Sequence, residues 1–219
     1  MIKSMTVAAK RNRRREAIID AARQVFFESG YTATSMSSIA ARLGGCKGTL
    51  YNHFGNKEEL FEALVRDFCT RRADRMLATI MEGRPAESLT ALAEQYLTHL
   101  SSEQGVKLLR GLVADSPLNP HLSRIFYALG PVRGRERLEA YLEACKAQGL
   151  INAPNCALAA VQFLALCRGS TDPELPLNLT LPATLTEIHA QATQAVDTFM
   201  RLYGAGSRRV VSSKLSASS

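Results

Sequence analysis

Between Cys46 and Leu60 the chain reads CKGTLYNHFGNKEEL, and its polar side chains are of the kinds that hold phosphates and base edges. Lys47 and Lys57 can neutralise phosphates. Tyr51 can offer its hydroxyl to a phosphate or its ring to a thymine methyl, Thr49 brings a second hydroxyl, and Asn52 and His53 can meet base edges. Gly48 lets a backbone come close. If the first half of the stretch is helical, Leu50 and Phe54 stand one turn apart and pack inward together, leaving Lys47, Gly48, Tyr51 and Asn52 on the other face. That outer face is small, polar and cationic, which suits a nucleic-acid groove.

Such a face needs a scaffold, and the preceding sequence supplies one. A first helix is expected from about Arg13 to Ser29, with Ile18, Ala22, Val25 and Phe26 as its buried stripe and Gly30 as a left-handed C-cap. A second, from about Met36 to Leu43, has Ser35 as N-cap and Ile39, Ala40 and Leu43 inward. Gly44-Gly45 breaks the chain before the third helix, Lys47 to His53. Two short helices joined through a glycine turn, the second polar and basic, fit the helix-turn-helix pattern. Asn56 can cap a fourth helix running from Lys57 past Cys69 to about Met81, with Glu58 and Glu59 in the first turn, where the helix dipole favours acid.

Further helical segments are expected at about 86–101, 105–115, 119–130, 132–148, 155–168 and 184–203, separated by glycine and proline breaks such as Gly130-Pro131 and Gly149. Apolar spacing is helical almost throughout and no period-two run stands out, so the fold class is all-α. CALAAVQFLALC is apolar nearly all round and must be buried in the core or against a partner chain. The last helix carries a stripe of Ile188, Ala192, Ala195, Val196, Phe199 and Leu202. The expected organisation is a basic arm (1–11), a helix-turn-helix domain (12–59), a larger helical domain (60–204) and a disordered basic tail (205–219).

The chain of 219 residues has a formal net charge of +7. Its excess positive charge sits at the two ends: residues 1–59 hold ten Lys/Arg against five Asp/Glu, residues 60–204 fourteen against fifteen, and residues 205–219 three against none. The run KRNRRR, which includes Arg14, is either a solubilising tail or an arm that neutralises phosphates beside the groove-reading helix. Five scattered Cys, without a CxxC pair, indicate neither a disulfide framework nor a zinc site and point to a reducing cytoplasm. Cys46, at a helix N-terminus beside Lys47, is either a redox sensor or simply a small residue tolerated at a cap. No signal peptide or membrane span is evident, and without a secretion signal the NLT at Asn178 carries no meaning. There is no GxSxG, HExxH, Walker or GxGxxG motif, and the four His have no ligand-spaced partner, so no catalytic residue, metal or cofactor is expected.

The stretch AARQVFFESGYTATSMSSIAARLGGCKGTLYNHFGNKEELFEAL, Ala21 to Leu64, resembles the TetR/AcrR family of transcriptional regulators across three blocks, FxxxGYxxTSMxxIAxxxG, KGTLYxHF and NKEEL. That resemblance implies phosphate contacts for Lys57 and Tyr51, and Ser35 and Ser37 near the backbone or bases. It also implies an all-helical C-terminal domain that dimerises through its last two large helices and holds a small-molecule pocket. Candidate interface residues are Ala160, Leu164, Ile188, Ala192, Val196 and Phe199. Candidate pocket residues are Tyr96, His99, Phe126, Tyr127, Tyr141 and Phe163, rings for an apolar ligand and polar tips to orient it.

Three departures from the family pattern bear on rigidity. Gly45 replaces an aliphatic residue and gives up a buried side chain, Cys46 is a poorer cap, and Ser38 stands where an acid often closes the capping box. LLRGLVADSPLNPHLSRIFYALGPVRGRERLEAYLEACKAQGLI further resembles the effector domains of AcrR-like efflux regulators. The reading is a homodimeric, ligand-responsive regulator of a pseudo-palindromic DNA operator, most readily a repressor released by a small molecule. Its rivals are a sequence-tolerant DNA-packaging protein and a protein-binding adaptor that uses helices 155–203.

Overall fold

The computed structural model describes residues 2–45, 47–77, 83–169 and 183–206, with side chains from residue 9 onward except those of 70–77. The expectations for Cys46, for Asn178, for residues 78–81 of the fourth helix and for 207–219 of the tail lie outside the described residues. Among the described residues there are ten α-helices: α1 (Ile2–Ala33), α2 (Met36–Arg42), α3 (Lys47–Tyr51), α4 (Lys57–Leu77), α5 (Pro85–Ser101), α6 (Glu103–Asp115), α7 (Pro120–Tyr127), α8 (Arg133–Ala147), α9 (Cys156–Arg168) and α10 (Leu185–Tyr203). The described residues contain no strand, only an isolated antiparallel bridge between Ile151 and Gly204. None of their helices is long and apolar enough to cross a membrane.

The chain divides into two compact units, residues 1–78 with 100–134 and 173–182, and residues 79–99 with 135–172 and 183–219. In the first, one core joins Ile18, Ala22, Val25 and Phe26 of α1 to Ile39 and Ala40 of α2, to Leu50 and Phe54, and to Leu60, Phe61 and Leu64 of α4. Leu108 and Leu112 of α6 and Leu122 of α7 belong to the same cluster. The boundary expected near residue 60 therefore falls inside α4, whose first turns are part of that core.

α1 begins at Ile2, well before the expected start at Arg13, and residues expected as a loose arm are helical. Its other end also differs. Gly30 has positive φ (76°), but its ψ of 171° is not that of a C-cap, and one more helical turn, Tyr31–Ala33, follows the kink. Only glycine enters that region without strain. Gly130-Pro131 does not break the chain as expected: Ala128–Val132 forms a π-turn running from α7 into α8, its wider spacing tolerating the missing proline N–H. A Cβ on Gly130 would lie 3.2 Å from Cys69 Sγ, a tight contact that the Cys69 side chain would have to yield to.

In the second unit Leu89, Leu92, Ala93 and Leu97 of α5, Leu138, Leu142 and Cys145 of α8, and the inner faces of α9 and α10 are buried. Phe163 and Phe199 meet edge to face at 5.3 Å. Asn155 caps α9 by accepting from Leu158 N, and Thr184 with Glu187 forms a capping box on α10. Leu202, expected in the buried stripe of α10, is instead 59% exposed.

Burial raises the Cys156 thiol pKa and pushes that of Cys167 up to about 12. Both remain protonated at pH 8, and the thiolate is the reactive form. A disulfide reagent at pH 8 is therefore expected to modify these two residues only as fast as the chain opens, with peptide mapping locating the adducts. Rapid labelling of native Cys167 would contradict this packing.

Candidate nucleic-acid interface

The outer face of α3 is laid out as its spacing predicts. Leu50 is fully buried and Phe54 is 5% exposed, while Lys47, Gly48, Tyr51 and Asn52 are exposed, Tyr51 at 52%, and Thr49 and His53 are half-buried. α3 ends at Tyr51. Asn52 and His53 follow in a closing turn, donating their backbone N–H to the carbonyls of Gly48 and Leu50 at 3.0 and 3.1 Å. Ser35, Ser37 and Arg14 are exposed as well.

α2 is tightly capped despite lacking an acid. Ser35 Oγ accepts from Ser38 N at 3.0 Å, and Ser38 Oγ accepts from Ser35 N at 3.1 Å, so two serines close the box in both directions. The expected weakness at Ser38 is thereby corrected. Gly45 is corrected too: it is exposed, with φ of +88°, and a Cβ there would meet nothing within 4 Å, so no buried side chain is forfeited. Gly44, at +86°, shares the requirement, and the turn demands glycine for its backbone conformation rather than for space.

Lys57 has a second task beyond the one expected of it. Its ammonium donates to the carbonyls of Tyr31 at 2.8 Å and Thr34 at 2.9 Å and lies 4.1 Å from the Tyr31 ring centroid. Burial lowers its pKa, opposed by the nearby Asp115 carboxylate. Two of its three N–H donors are committed, leaving one. Asn56 caps α4 as expected, accepting from Glu59 N at 2.8 Å.

Asp115, at the last turn of α6, was not among the expected site residues. Its Oδ2 accepts from Tyr31 N at 2.9 Å, its Oδ1 accepts from the Thr32 hydroxyl, and Asn119 Nδ2 donates to Thr32 Oγ1 at 3.1 Å. The turn after Gly30 thus has an anion at its N–H end and a cation at its C=O end, the arrangement a helix dipole favours. A signal existed: an acid in the last turn of a helix opposes that helix's own dipole and needs an outside donor. Phe26, Tyr31 and Phe61 stack beneath, with centroids 5.3 to 5.6 Å apart.

The other expected groups separate. Ala160, Ile188, Ala192, Val196 and Phe199, expected at a dimer interface, are 0 to 4% exposed within the single chain. They are the seam between α9 and α10, and a partner chain cannot reach them. On the same helices Leu158 (51%), Val161 (42%), Leu185 (78%) and Leu202 (59%) are the exposed apolar residues, and Leu164 is half-buried. Of the expected pocket residues, Phe163 is sealed in the core and Tyr127 is 56% exposed, while Tyr96, His99, Phe126 and Tyr141 are half-buried. Burial, with a Cys145 hydrogen bond opposing one from Ser88, pushes the Tyr141 pKa up to about 12. A cleft of about 20 Å³, room for about one water, lies in the first unit between Phe27, Phe61, Leu108 and Leu112, and none of these six lines it.

Comparison with known proteins agrees with this geometry. Residues 18–64 match the family model described as bacterial regulatory proteins, tetR family, and residues 87–205 match the AefR-like transcriptional repressor C-terminal domain. The C-terminal likeness is thus to AefR-like repressors. The chain is similar over 72 residues, 38% identical, to the transcriptional repressor AcnR of Corynebacterium glutamicum, covering 32% of this chain and 38% of that one. It spans only 32% to 40% of the length of the Corynebacterium AcnR relatives. Among solved structures it is similar to the flavonoid-responsive regulator FrrA, with a TM-score of 0.74 and 31% identity, over 88% of this chain and 98% of that one. A TetR-family regulator from Mesorhizobium loti superposes with a TM-score of 0.77 at 27% identity, over 89% and 98%.

Replacing Asp115 with Ala leaves the Tyr31 N–H without its charged acceptor, and losing such a bond is expected to cost about 1–3 kcal/mol. Urea unfolding measures it. Asp115→Asn, which keeps an acceptor oxygen, should recover part of the loss.

Proposed function

Because the chain belongs to the TetR family of bacterial regulatory proteins, we propose that it is a ligand-responsive, sequence-specific DNA-binding transcriptional regulator acting as a repressor. The observation that carries this is the exposed face of α3, with Lys47, Gly48, Thr49, Tyr51, Asn52 and His53 turned away from a core that holds Leu50 and Phe54. A five-residue helix cannot hold itself in water, so its orientation comes from that core and from the glycine turn before it. Base edges are read from this face, and phosphates are held by Ser35, Ser37, Tyr51, the remaining donor of Lys57 and Arg14.

Family repressors act as dimers on operator DNA with small-molecule effectors, and the same arrangement is proposed here. The partner surface is the exposed apolar side of α9, Leu158, Val161 and Ala165, with Leu185 and Leu202 of α10. Two copies would place two α3 helices in successive major grooves of a pseudo-palindrome. Tyr96, His99 and Tyr141 of the second unit are the candidates for effector contact. An effector that fits the DNA-free arrangement better lowers operator affinity by the ratio of its two affinities.

The test is binding of the purified protein to the DNA upstream of its own gene against a scrambled duplex. Tyr51→Ala is expected to weaken the upstream complex about 10- to 100-fold, as removal of a specific contact does, while light scattering still reports a dimer. Leu158→Glu with Val161→Glu should instead give a folded monomer; a persistent dimer would place the interface elsewhere.

A further inference from the structure

α1 extends well beyond the core that it serves. Residues 9–17 are all exposed, so two and a half turns of helix bury none of their side chains in the core, and Arg15 alone of its cations is seen to meet another element's ring. Isolated helices of that length are marginal in water. This one also carries like charges at helical spacing, Lys10 with Arg13 and Arg14, and Arg11 with Arg14 and Arg15, pairs that oppose helix formation.

The charges are nonetheless arranged. At 100° per residue the five cations Lys10, Arg11, Arg13, Arg14 and Arg15 cover an arc of roughly 200°, leaving Ala9, Asn12 and Glu16 on the other side. Arg11, Arg15, Ile18, Ala22 and Val25 follow one another at spacings of four and three, a single stripe. Its inner part is core: Ile18 and Ala22 are fully buried and Val25 is 5% exposed. Its outer part is arginine. Arg15 sits with its guanidinium 5.3 Å from the ring centroid of Phe54, the residue that anchors the end of the α3 segment. Arg11, one turn further out, projects from the same side of α1.

We infer that this overhanging helix is a phosphate-binding face, in which Lys10, Arg11 and Arg14 track the DNA backbone beside the groove that α3 enters, and that polyanion binding holds it helical. The inference rests on the DNA-binding reading above. A continuous helix cannot thread into a minor groove as a loose arm does, so its contacts are with phosphates and carry no sequence information. It adds affinity equally to every duplex. It also relieves the like-charge repulsion that disfavours the free helix.

The experiment measures affinity across a salt series for two probes, the upstream DNA and a scrambled duplex of equal length. The triple variant Lys10→Ala, Arg11→Ala, Arg14→Ala is expected to reduce the slope of log affinity against log salt by about 0.9 for each phosphate left without its cation, roughly 2–3 per bound protomer. The ratio between the two duplexes should stay as in wild type. Removing three cations elsewhere, Arg133→Ala, Arg137→Ala, Arg201→Ala, should leave the slope unchanged. Asn12→Pro keeps every cation and breaks the helix; it should weaken both complexes severalfold and abolish the gain in far-ultraviolet helical signal on adding DNA. An unchanged slope in the first triple variant, an equal fall in the second, or wild-type binding by Asn12→Pro would overturn the inference. A wild-type protein that cannot tell the two duplexes apart would instead count against sequence-specific regulation, whatever the slopes.

Discussion

One helical turn, Tyr31–Ala33, is held from both ends by charges from other helices. Asp115 of α6 accepts from its N–H end, and Lys57 of α4 donates to the Tyr31 and Thr34 carbonyls at its C=O end. Gly30 makes the turn possible by breaking α1 where its axis must change, and Ser35 starts α2 immediately after it. The position of α2, and of α3 after it, therefore depends on where this clasp holds the chain. Hydrogen bonds to charged groups are worth about 1.5–3 kcal/mol each, and the Phe26, Tyr31 and Phe61 rings beneath lower the local polarity in which they act. α6 is thus tied to the start of the helix-turn-helix both by the Asp115 bonds and by Leu108 and Leu112 in the shared core.

Much of this was legible in the sequence because it is local. The inward pair Leu50 and Phe54, the α1 stripe and the caps at Ser35 and Asn56 follow from helical period and capping chemistry alone. The Asp115 clasp was not, because it joins residues 84 positions apart and leaves no periodic trace. Period also fails to say what covers a stripe. Ile188, Ala192, Val196 and Phe199 mark a buried face correctly, but the cover is α9 of the same chain, and the exposed side of α9 with Leu158 and Val161 is the part left over. The exposure of Leu202 is the same lesson at the last turn: it lies on the open side, while Tyr203 beside it bonds to Gln162 of α9.

The glycine-rich points divide by reason. Gly30, Gly44 and Gly45 are fixed by positive φ, and sequence reading finds them as breaks. Gly130 instead lies close under the Cys69 sulfur, a crowding that only three dimensions reveal. Sequence reading took Gly130-Pro131 for a break as well, yet the chain passes through it as a π-turn, packed against α4.

The serine-closed cap of α2 has an electrostatic consequence. Residues 29–57, from the end of α1 to the start of α4, contain no Asp or Glu, while Arg42, Lys47 and Lys57 lie among them. An acid at position 38 would satisfy the same backbone donor, but it would stand near any phosphate held by Ser35 or Ser37. At about 7 Å in water the repulsion is about 0.6 kcal/mol, and more where water is excluded. The neutral pair caps the helix without setting a carboxylate at position 38 against an incoming polyanion, and the acids nearest these cations, Glu28 paired with Arg42 and Asp115 near Lys57, come from α1 and α6 rather than from the helix-turn-helix itself.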